Sequence, residues 1–429
     1  MKNLRRFVAA FIWLGASISA NAHPAHAEEV RYPFVAGFDR FYSDADPDEY
    51  LAHGGQLLIG ELNCIACHQV PADGIYSAAP GPNLEGIGSR VSDGAALSLM
   101  IRNPRFLKLG TTMPSLFAGS DRDPDELDAL LHFLTSLREE PGDPLLLGNV
   151  DRGRELYHSV GCVACHSPDA EVRPTGMPVA LQLERPALAS SSIRFATAWS
   201  ADFLTRFLMD PVEYHPAGRM PNLALSEKAA ADIAAYLKTT PSTEPVFEMG
   251  LPELEDQLVE TGRALFASKG CASCHDAGVD PEASPAPALA DLVGDLENGC
   301  LSETPVAGGV PHYFLSPLQR KAIQLALAEP SAPLTKLERE LQQRDCYACH
   351  TIDGRGGPEI AREPFFGAFD PYSTEKESLL PPAIDTSAVQ QLLESLTGKA
   401  ERRRPNVRAR MLVLPEAEAR SLSELFGHR

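Results

Sequence analysis

Apolar residues recur at helical spacing in several short stretches of the chain, and polar, proline-rich stretches separate them. The clearest apolar stripe is made of five leucines: Leu127, Leu130, Leu131, Leu134 and Leu137. Side chains three and four residues apart share one face of a helix, so this stripe predicts an amphipathic helix. Asp123 and Pro124 stand at its start, where the N-cap and the first helical position favour these residue types.

A similar succession of elements is predicted four times along the chain. First helices are predicted to run through Gly55, Gly153, Gly262 and Leu337. Short later helices are predicted at residues 95–101, 202–209 and 387–396. Closing helices are predicted to begin near Pro124, Ser226, Pro317 and Pro415. Repetition at this length indicates tandem modules, each long enough for one small helical core.

A five-residue motif, C-x-x-C-H, follows each of the first helices. Its four copies supply Cys64, Cys67 and His68; Cys162, Cys165 and His166; Cys271, Cys274 and His275; and Cys346, Cys349 and His350. This motif is the attachment signature of c-type haem, in which two thiols bond the porphyrin and the histidine binds the iron. We therefore predict four covalently attached haem c groups.

Two other kinds of site use closely spaced cysteines. Two C-x-x-C pairs can hold a zinc ion, and a single pair can act as a redox dithiol. Neither site requires a histidine directly after the second cysteine, whereas all four copies here have one. Haem attachment is therefore the favoured interpretation. Cys300 is left outside the motifs, so no disulfide framework is indicated.

The spacing of the motifs divides the chain into six segments. Residues 1–27 are predicted to be a signal peptide, and residues 28–48 an aromatic-rich N-terminal extension that packs on a module in extended form. The four modules are predicted at residues 49–140, 148–240, 254–329 and 334–429. Short linkers marked by proline are expected to hold neighbouring modules together.

The N-terminal segment has the features of a secretory signal. Lys2, Arg5 and Arg6 precede an apolar stretch at 7–20, and small residues at 20–22 and 25–27 provide cleavage sites. We expect a periplasmic protein with no indicated membrane association after cleavage. The alternative is an uncleaved membrane anchor.

The formal net charge of −20 limits the possible partners. Nucleic-acid binding needs clustered Lys and Arg, so we expect no nucleic-acid partner. An acidic surface favours docking to basic patches on a redox donor and acceptor. The alternative is that the charge serves solubility alone.

The order of first helix, C-x-x-C-H, proline loop, short helix, Met-Pro and closing helix resembles the class I cytochrome c family. The resemblance covers nearly all of residues 49–429 and is only partial in the third module. It implies an all-α fold of four tandem domains, each wrapped around one covalent haem, with the first and last helices of a domain in contact. It also implies a loop proline whose carbonyl accepts a hydrogen bond from the iron-binding imidazole. The matching prolines are Pro82, Pro186, Pro287 and Pro382.

The resemblance further implies methionine as the second axial ligand of the iron. Three methionines stand between a short helix and a closing helix: Met113, Met220 and Met411. Met177 is also followed by proline but comes too soon after its motif, and Met100 and Met209 fall in predicted helices and suit a core. Met411 lacks the following proline.

The third module has no methionine where the ligand is expected. Val310 stands in that place and cannot bind iron, so His312, a Cys300 thiolate or an open site are the remaining possibilities. We predict His312 as the ligand and keep the other two as alternatives.

These features favour an exported multihaem cytochrome that relays single electrons between redox partners, with no catalytic residues of its own. The first alternative is a haem enzyme that acts at the third module, in sulfur-compound oxidation or peroxide reduction. The second is an electron-accepting subunit of a dehydrogenase complex.

Overall fold

The computed structural model describes residues 32–70, 76, 78–117, 124–140, 142–169, 171–172, 198–239, 250–282, 286–292, 299–306, 310–328, 335–358, 362, 365, 384, 389–399 and 413–427. The predicted signal peptide, Pro186, Pro382, Met177 and Met411 lie outside these residues. Among the helices of these segments, none is long and apolar enough to cross a membrane.

The secondary structure of these segments is almost entirely helical, as the all-α prediction requires. The first ten helices are α1 (Ala36–Phe41), α2 (Asp48–Glu61), α3 (Ile87–Arg90), α4 (Gly94–Arg102), α5 (Pro104–Leu107), α6 (Pro124–Ser136), α7 (Val150–Tyr157), α8 (Ala201–Met209), α9 (Pro211–Tyr214) and α10 (Glu227–Thr239). The others are α11 (Asp256–Ser268), α12 (Pro317–Ala328), α13 (Lys336–Gln343), α14 (Val389–Leu396) and α15 (Glu416–Gly427). A small ribbon pairs β1 (Thr351–Ile352) antiparallel with β2 (Arg355–Gly356).

Side-chain caps explain where several helices begin. Asp93 accepts hydrogen bonds from backbone N–H groups at the start of α4, and Ser200 does so at the start of α8. Asn149 and Thr335 cap α7 and α13 in the same way. Each cap provides an acceptor for a backbone donor that has no partner inside the helix.

The N-terminal extension differs from its prediction. Residues 28–48 were expected to be extended, but α1 forms within them and α2 begins at Asp48. The Asp39 carboxylate accepts a 2.8 Å hydrogen bond from the Val35 amide at the start of α1. Phe38 and Tyr42 are buried against α2, so this aromatic-rich segment gains more apolar contact as a helix than as an extended strand.

Two modules pair helices of their own. In residues 148–240, α7 and α8 pack on α10, and Tyr157, Leu204, Leu208 and Ile233 share one core. In residues 334–429, α13 and α14 pack on α15, and Leu341, Leu396, Leu422 and Phe426 share another. These pairings match the expected contact of first and last helices.

The other two modules exchange their first helices. The helix α2 packs on α12 rather than on α6, and α11 packs on α6 rather than on α12. The cores follow the exchange, since Leu58 shares a cluster with Ile323 and Phe133 shares one with Phe266. The expectation that each of these modules pairs its own first and last helices is therefore corrected.

A repeated contact explains why the exchange is sterically possible. A Cβ added at Gly55 would overlap the main-chain oxygen of Ala322 in α12, and one at Gly262 would overlap that of Ala129 in α6. Gly153 faces the oxygen of Asp232 in the same way within its own module. Since Gly55 and Gly262 make the same close contact, α6 and α12 present equivalent surfaces to either first helix.

Candidate haem-attachment sites

The four C-x-x-C-H motifs fold into the same tight turn. Each begins with a 3-10 turn at the first cysteine: Cys64–Ala66, Cys162–Ala164, Cys271–Ser273 and Cys346–Ala348. The amide of each motif histidine donates to the carbonyl of the first cysteine, at 3.0, 2.9, 2.9 and 2.9 Å in chain order. The amide of the second cysteine donates to that carbonyl as well, at 3.1–3.3 Å. The turn holds two sulfurs and an imidazole in one small region, as haem attachment requires.

The residue before each motif has a left-handed or otherwise positive φ. The values are 53° at Asn63, 124° at Gly161, 77° at Gly270 and 50° at Asp345. Asn, Asp and Gly are the residues that most readily adopt such a backbone. This position ends the first helix and turns the chain sharply into the motif.

Two motif imidazoles have a defined orientation. The Nδ1 atom of His68 lies 2.8 Å from the carbonyl oxygen of Pro287, and the Nδ1 atom of His275 lies 2.9 Å from that of Pro82. A carbonyl oxygen can only accept, so Nδ1 carries the proton and Nε2 keeps the lone pair that binds a metal. Burial lowers the pKa of His275, which favours the same neutral ring. Both rings therefore carry the lone pair on Nε2, as an iron ligand requires.

Backbone contacts support the other two motifs, for which the predicted prolines lie outside the described residues. The Arg362 guanidinium donates to the carbonyl oxygens of Val163 and His166, at 2.7 and 3.0 Å. The Gly357 amide donates to the carbonyl of His350 at 2.9 Å. Both histidines thus have a fixed backbone.

Burial disfavours the thiolate form of the motif cysteines. All nine cysteines are free of disulfide bonds. Burial raises the pKa of Cys64 to about 12, of Cys162 to about 12 and of Cys271 to about 11. Zinc binding and dithiol chemistry use thiolates with lowered pKa values. Within the described segments, no three Cys, His, Asp or Glu side chains converge to hold a metal ion.

The motifs lie in two pairs with matching contacts. The side-chain amide of Asn63, before the first motif, donates to the sulfur of Cys274 in the third motif at 3.6 Å. The sulfur of Cys165 in the second motif lies 3.7 Å from a carboxylate oxygen of Asp345, which precedes the fourth motif. In both pairs, the residue with positive φ before one motif touches the second cysteine of the other. The attachment sites are therefore neighbours, first with third and second with fourth.

An ion pair between a buried carboxylate and a partly exposed guanidinium links the two pairs of motifs. The guanidinium of Arg219, next to Met220, makes a two-pronged contact with the carboxylate of Glu61, whose Nε–Oε2 distance is 2.8 Å. Glu61 ends α2, just before the first motif, and burial raises its pKa while Arg219 opposes the shift. Asp345 is close enough for both groups to affect its pKa. The loop that carries Met220 is thereby fixed beside the end of α2, just before the first motif.

The predicted methionine ligands lie in different surroundings. Met220 packs on the core of the second module together with Cys162 of that module's motif. The amide of Met113 donates to the hydroxyl of Thr111 at 3.2 Å, in the segment that runs from α5 to α6. Met209 belongs to α8 and packs on the same core as Met220, in agreement with a structural role.

His312 is buried, and its ring nitrogens have no hydrogen-bond partner among the described residues. Its ring lies against Phe314, with centroids 4.1 Å apart, and burial together with Arg105 and Arg320 lowers its pKa. The backbone of His312 forms an isolated bridge with Ser115. His312 remains a predicted ligand.

Tyr313 and Cys300 lie on the side of the first motif. Tyr313 donates to the carbonyl of Leu62 at 3.0 Å. Burial raises its pKa well above the ordinary value, and Cys64 of the first motif and Cys274 of the third add to the shift. Cys300 affects the pKa of Cys64, and burial raises the pKa of Cys300 itself. The Cys300 alternative, stated for the third motif, therefore concerns a thiol beside the first.

Comparison with known proteins supports the resemblance for one part of the chain. Residues 150–241 match the family model described as cytochrome c. This segment carries the second motif and Met220, and its family implies covalently bound haem c and haem-based electron transfer. The match to this family model agrees with the helical fold of the described residues.

One relative is a cytochrome c oxidase subunit 2 of Alkalihalophilus pseudofirmus. It is 33% identical over 100 residues, which is 22% of this chain and 28% of that protein. The chain therefore spans less than a third of the relative's length. No solved structure matches the chain significantly.

Three features of the sites were not predicted from the sequence. The contacts of Asn63 and Asp345 with another motif's cysteine were missed, although both residue types favour positive φ and stand at equivalent positions. The Glu61–Arg219 pair was missed because the two residues are far apart in sequence. The helix exchange has no signal in the repeats, since both first helices carry the same glycine.

Proposed function

We propose that the chain is an exported tetrahaem c-type cytochrome that relays single electrons between redox partners. The observation that carries the proposal is the fourfold repetition of one turn, in which two sulfurs and a histidine are brought together. Haem c, when bound, supplies a one-electron Fe(III)/Fe(II) couple. The residues that would hold it are the eight motif cysteines and His68, His166, His275 and His350.

The packing of the motifs supports relay within one chain. The contacts of Asn63 with Cys274 and of Asp345 with Cys165 place attachment points side by side. The Glu61–Arg219 pair joins these two sets through the protein interior. Electrons that enter at one site would therefore have neighbouring sites within the same chain. The acidic surface suits docking to basic patches on a donor and an acceptor.

The test is a count of covalent haems and of electrons. Protein produced with haem-attachment machinery should exceed the mature polypeptide by the mass of four haems and keep its colour in acidic acetone. A reductive titration should consume four electrons per chain. Cys300→Ser is the matched control and should retain four haems, because Cys300 belongs to no motif. Fewer than four haems, or colour lost to the solvent, would overturn the proposal.

A second candidate function is a redox subunit of a larger complex. The observation in its favour is the partial match to a protein named as an oxidase subunit. A stable partner that co-purifies with the haem-loaded chain would support this function. A monomer that exchanges electrons with small soluble carriers would support the relay.

A further inference from the structure

We propose that the first and third haem pockets are built by exchange between residues 49–140 and 254–329. Met113 would then be the second iron ligand together with His275 rather than with His68. The pocket of His68 is closed by residues 310–314, which contain no methionine. This inference rests on the proposed function, because it assigns ligands to haems that the motifs would attach.

The imidazole contacts are the first support. His275 belongs to the third motif, yet its Nδ1 is bound to the carbonyl of Pro82, from the loop after the first motif. His68 is bound to Pro287, from the loop after the third motif. Each of these loops therefore orients the histidine of the other motif. The same loops lead onward to the segments that would supply the second ligand.

Backbone hydrogen bonds continue the exchange beyond the prolines. The amide of Leu84 donates to the carbonyl of Asp276 at 2.7 Å, and that of Leu289 donates to the carbonyl of Gln69 at 2.8 Å. A Cβ added at Gly81 would overlap the ring of His275, so this loop lies directly against the third motif. The contacts are reciprocal on both sides, which indicates two pockets of mixed origin.

The closing helices complete each pocket. The helix α6, which follows Met113, packs on α11, which leads into the third motif. The helix α12, which follows residues 310–314, packs on α2, which leads into the first motif. Tyr313 donates to the carbonyl of Leu62, between the end of α2 and the first motif. Each candidate ligand segment lies between a proline loop and a closing helix. It should therefore contribute its ligand to the pocket that this loop and this helix form.

The position of the unusual haem changes as a consequence. By sequence order, the third motif lacks a methionine partner, because Val310 stands in the expected place. By the proposed exchange, residues 310–314 belong with His68, and Met113 belongs with His275. The haem without a thioether ligand is therefore the one attached at Cys64 and Cys67. Cys300 lies beside these cysteines and belongs to the same pocket. Tyr313 lies close to Cys64 and Cys67 and also to Cys274 of the third motif.

Two ion pairs allow the exchange to be tested on the unaltered, haem-loaded chain. The Lys321 amine in α12 lies 2.8 Å from the Asp48 carboxylate in α2, and the Lys269 amine after α11 lies 2.7 Å from Glu126 in α6. A zero-length carbodiimide reagent should convert both pairs to amides, which peptide mass spectrometry identifies. Lys399 and Glu416 lie 2.8 Å apart within the fourth module and provide the positive control.

The arrangement without exchange predicts a different product. Glu255 and Asp48 occupy equivalent positions, because each precedes the first cysteine of its motif by the same number of residues. Without exchange, Lys321 would therefore lie beside Glu255 and form an amide with it. Without exchange, Leu62 would occupy the place beside α6 that Lys269 occupies in the structure. Leucine has no amine, so Glu126 would form no amide there. A Lys321–Glu255 product, with the control present and the Asp48 product absent, would overturn the proposal. Lys321→Arg should abolish the Asp48 product while keeping the charge.

Removal of one attachment site at a time assigns the ligands. The Cys271→Ala, Cys274→Ala double variant should lose one equivalent of the near-infrared band of His/Met haem. The Cys64→Ala, Cys67→Ala double variant should keep that band at full intensity. The opposite pattern would overturn the proposal. The haem count by mass is read separately, so a failure of the tetrahaem proposal is distinguished from a failure of the exchange. If either double variant does not fold, the carbodiimide products on the parent chain still decide the matter.

Discussion

Gly55 in α2 lies directly against the main-chain carbonyl of Ala322 in α12, with no space for a Cβ between them. The two residues are separated by most of the chain, yet their contact repeats the one between Gly153 and Asp232 inside the second module. A close approach of two helices at glycine brings their backbones together and aligns the chain that follows. At this contact the first motif is placed against residues that come after the third.

Gly55→Ala should therefore destabilise the fold. Alanine is favoured over glycine in a helix interior by about 1 kcal/mol. Here the added Cβ would overlap a backbone oxygen, and overpacking of this kind costs about 1–3 kcal/mol. We expect a net loss, measured as a lower midpoint of urea unfolding followed by circular dichroism.

Gly250→Ala is the matched control for this substitution. Gly250 is exposed, and a Cβ there would meet nothing within 4 Å. Its effect should stay within about 0.5 kcal/mol, as for surface substitutions in general. Equal midpoints for Gly55→Ala and the parent chain would contradict the close packing of α2 on α12.

Met220→Ala should remove one His/Met haem while leaving all four haems attached. Met220 packs on the same core as Cys162, in the segment that matches the cytochrome c family model. A thioether stabilises the ferrous state, so the potential of this haem should fall. The measurement is the near-infrared band of the oxidised protein, which should lose one equivalent. Met209→Ala is the control, because Met209 packs on the same core; it should lower stability and leave the band unchanged.

Local features were predictable from the sequence, and long-range pairings were not. The motif turns follow from residue types at fixed short spacing, and the closing helix α6 follows from its leucine stripe. The first helices were equally predictable from the sequence, but Gly55 and Gly262 give α2 and α11 equivalent surfaces for packing on a closing helix. No periodicity can decide which of two equivalent partners such a helix selects, since the choice depends on contacts between distant segments. Asn63 and Asp345 could be predicted to turn the chain but not to touch another motif.

Arg219→Ala should destabilise the protein at neutral pH. Glu61 is buried, and burial raises its pKa above the ordinary value, so removal of Arg219 leaves a carboxylate without its cation. Breaking a buried pair in this way costs about 3 kcal/mol. A carboxyl group with a raised pKa binds its proton more tightly when folded, so the loss should shrink as the pH falls. Urea unfolding at pH 5 and pH 8 measures the difference.

The double variant Arg219→Ala, Glu61→Gln provides the control for this pair. A neutral amide in place of the carboxylate removes the buried charge, so part of the lost stability should return at pH 8. A double variant as unstable as Arg219→Ala at both pH values would show that the lost packing of Arg219, and not the charge on Glu61, accounts for the effect.

Asp345 should make the stability of the protein depend on pH. Burial raises its pKa to about 6, while Arg40 and Arg219 oppose this shift and Glu61 adds to it. A rise of this size in the pKa corresponds to about 3 kcal/mol of folding free energy. Because the folded state binds the proton more tightly, this contribution is present at pH 4 and is lost as the pH rises to about 6. Asp345→Asn should therefore stabilise the protein at pH 8 and have little effect at pH 4.

The same residue should couple proton binding to electron uptake. The Cys165 sulfur beside Asp345 becomes a thioether on haem attachment and can then only accept a hydrogen bond, so the carboxyl group must carry a proton to donate one. Reduction adds negative charge nearby and favours that proton, so the potential of the second or fourth haem should fall as the pH rises through 6.

Asn63 occupies the matching position beside Cys274 and donates at any pH. Asp345→Asn should abolish the pH dependence, and Asn63→Asp should create one at the first or third haem; a pH profile unchanged in both variants would contradict this role.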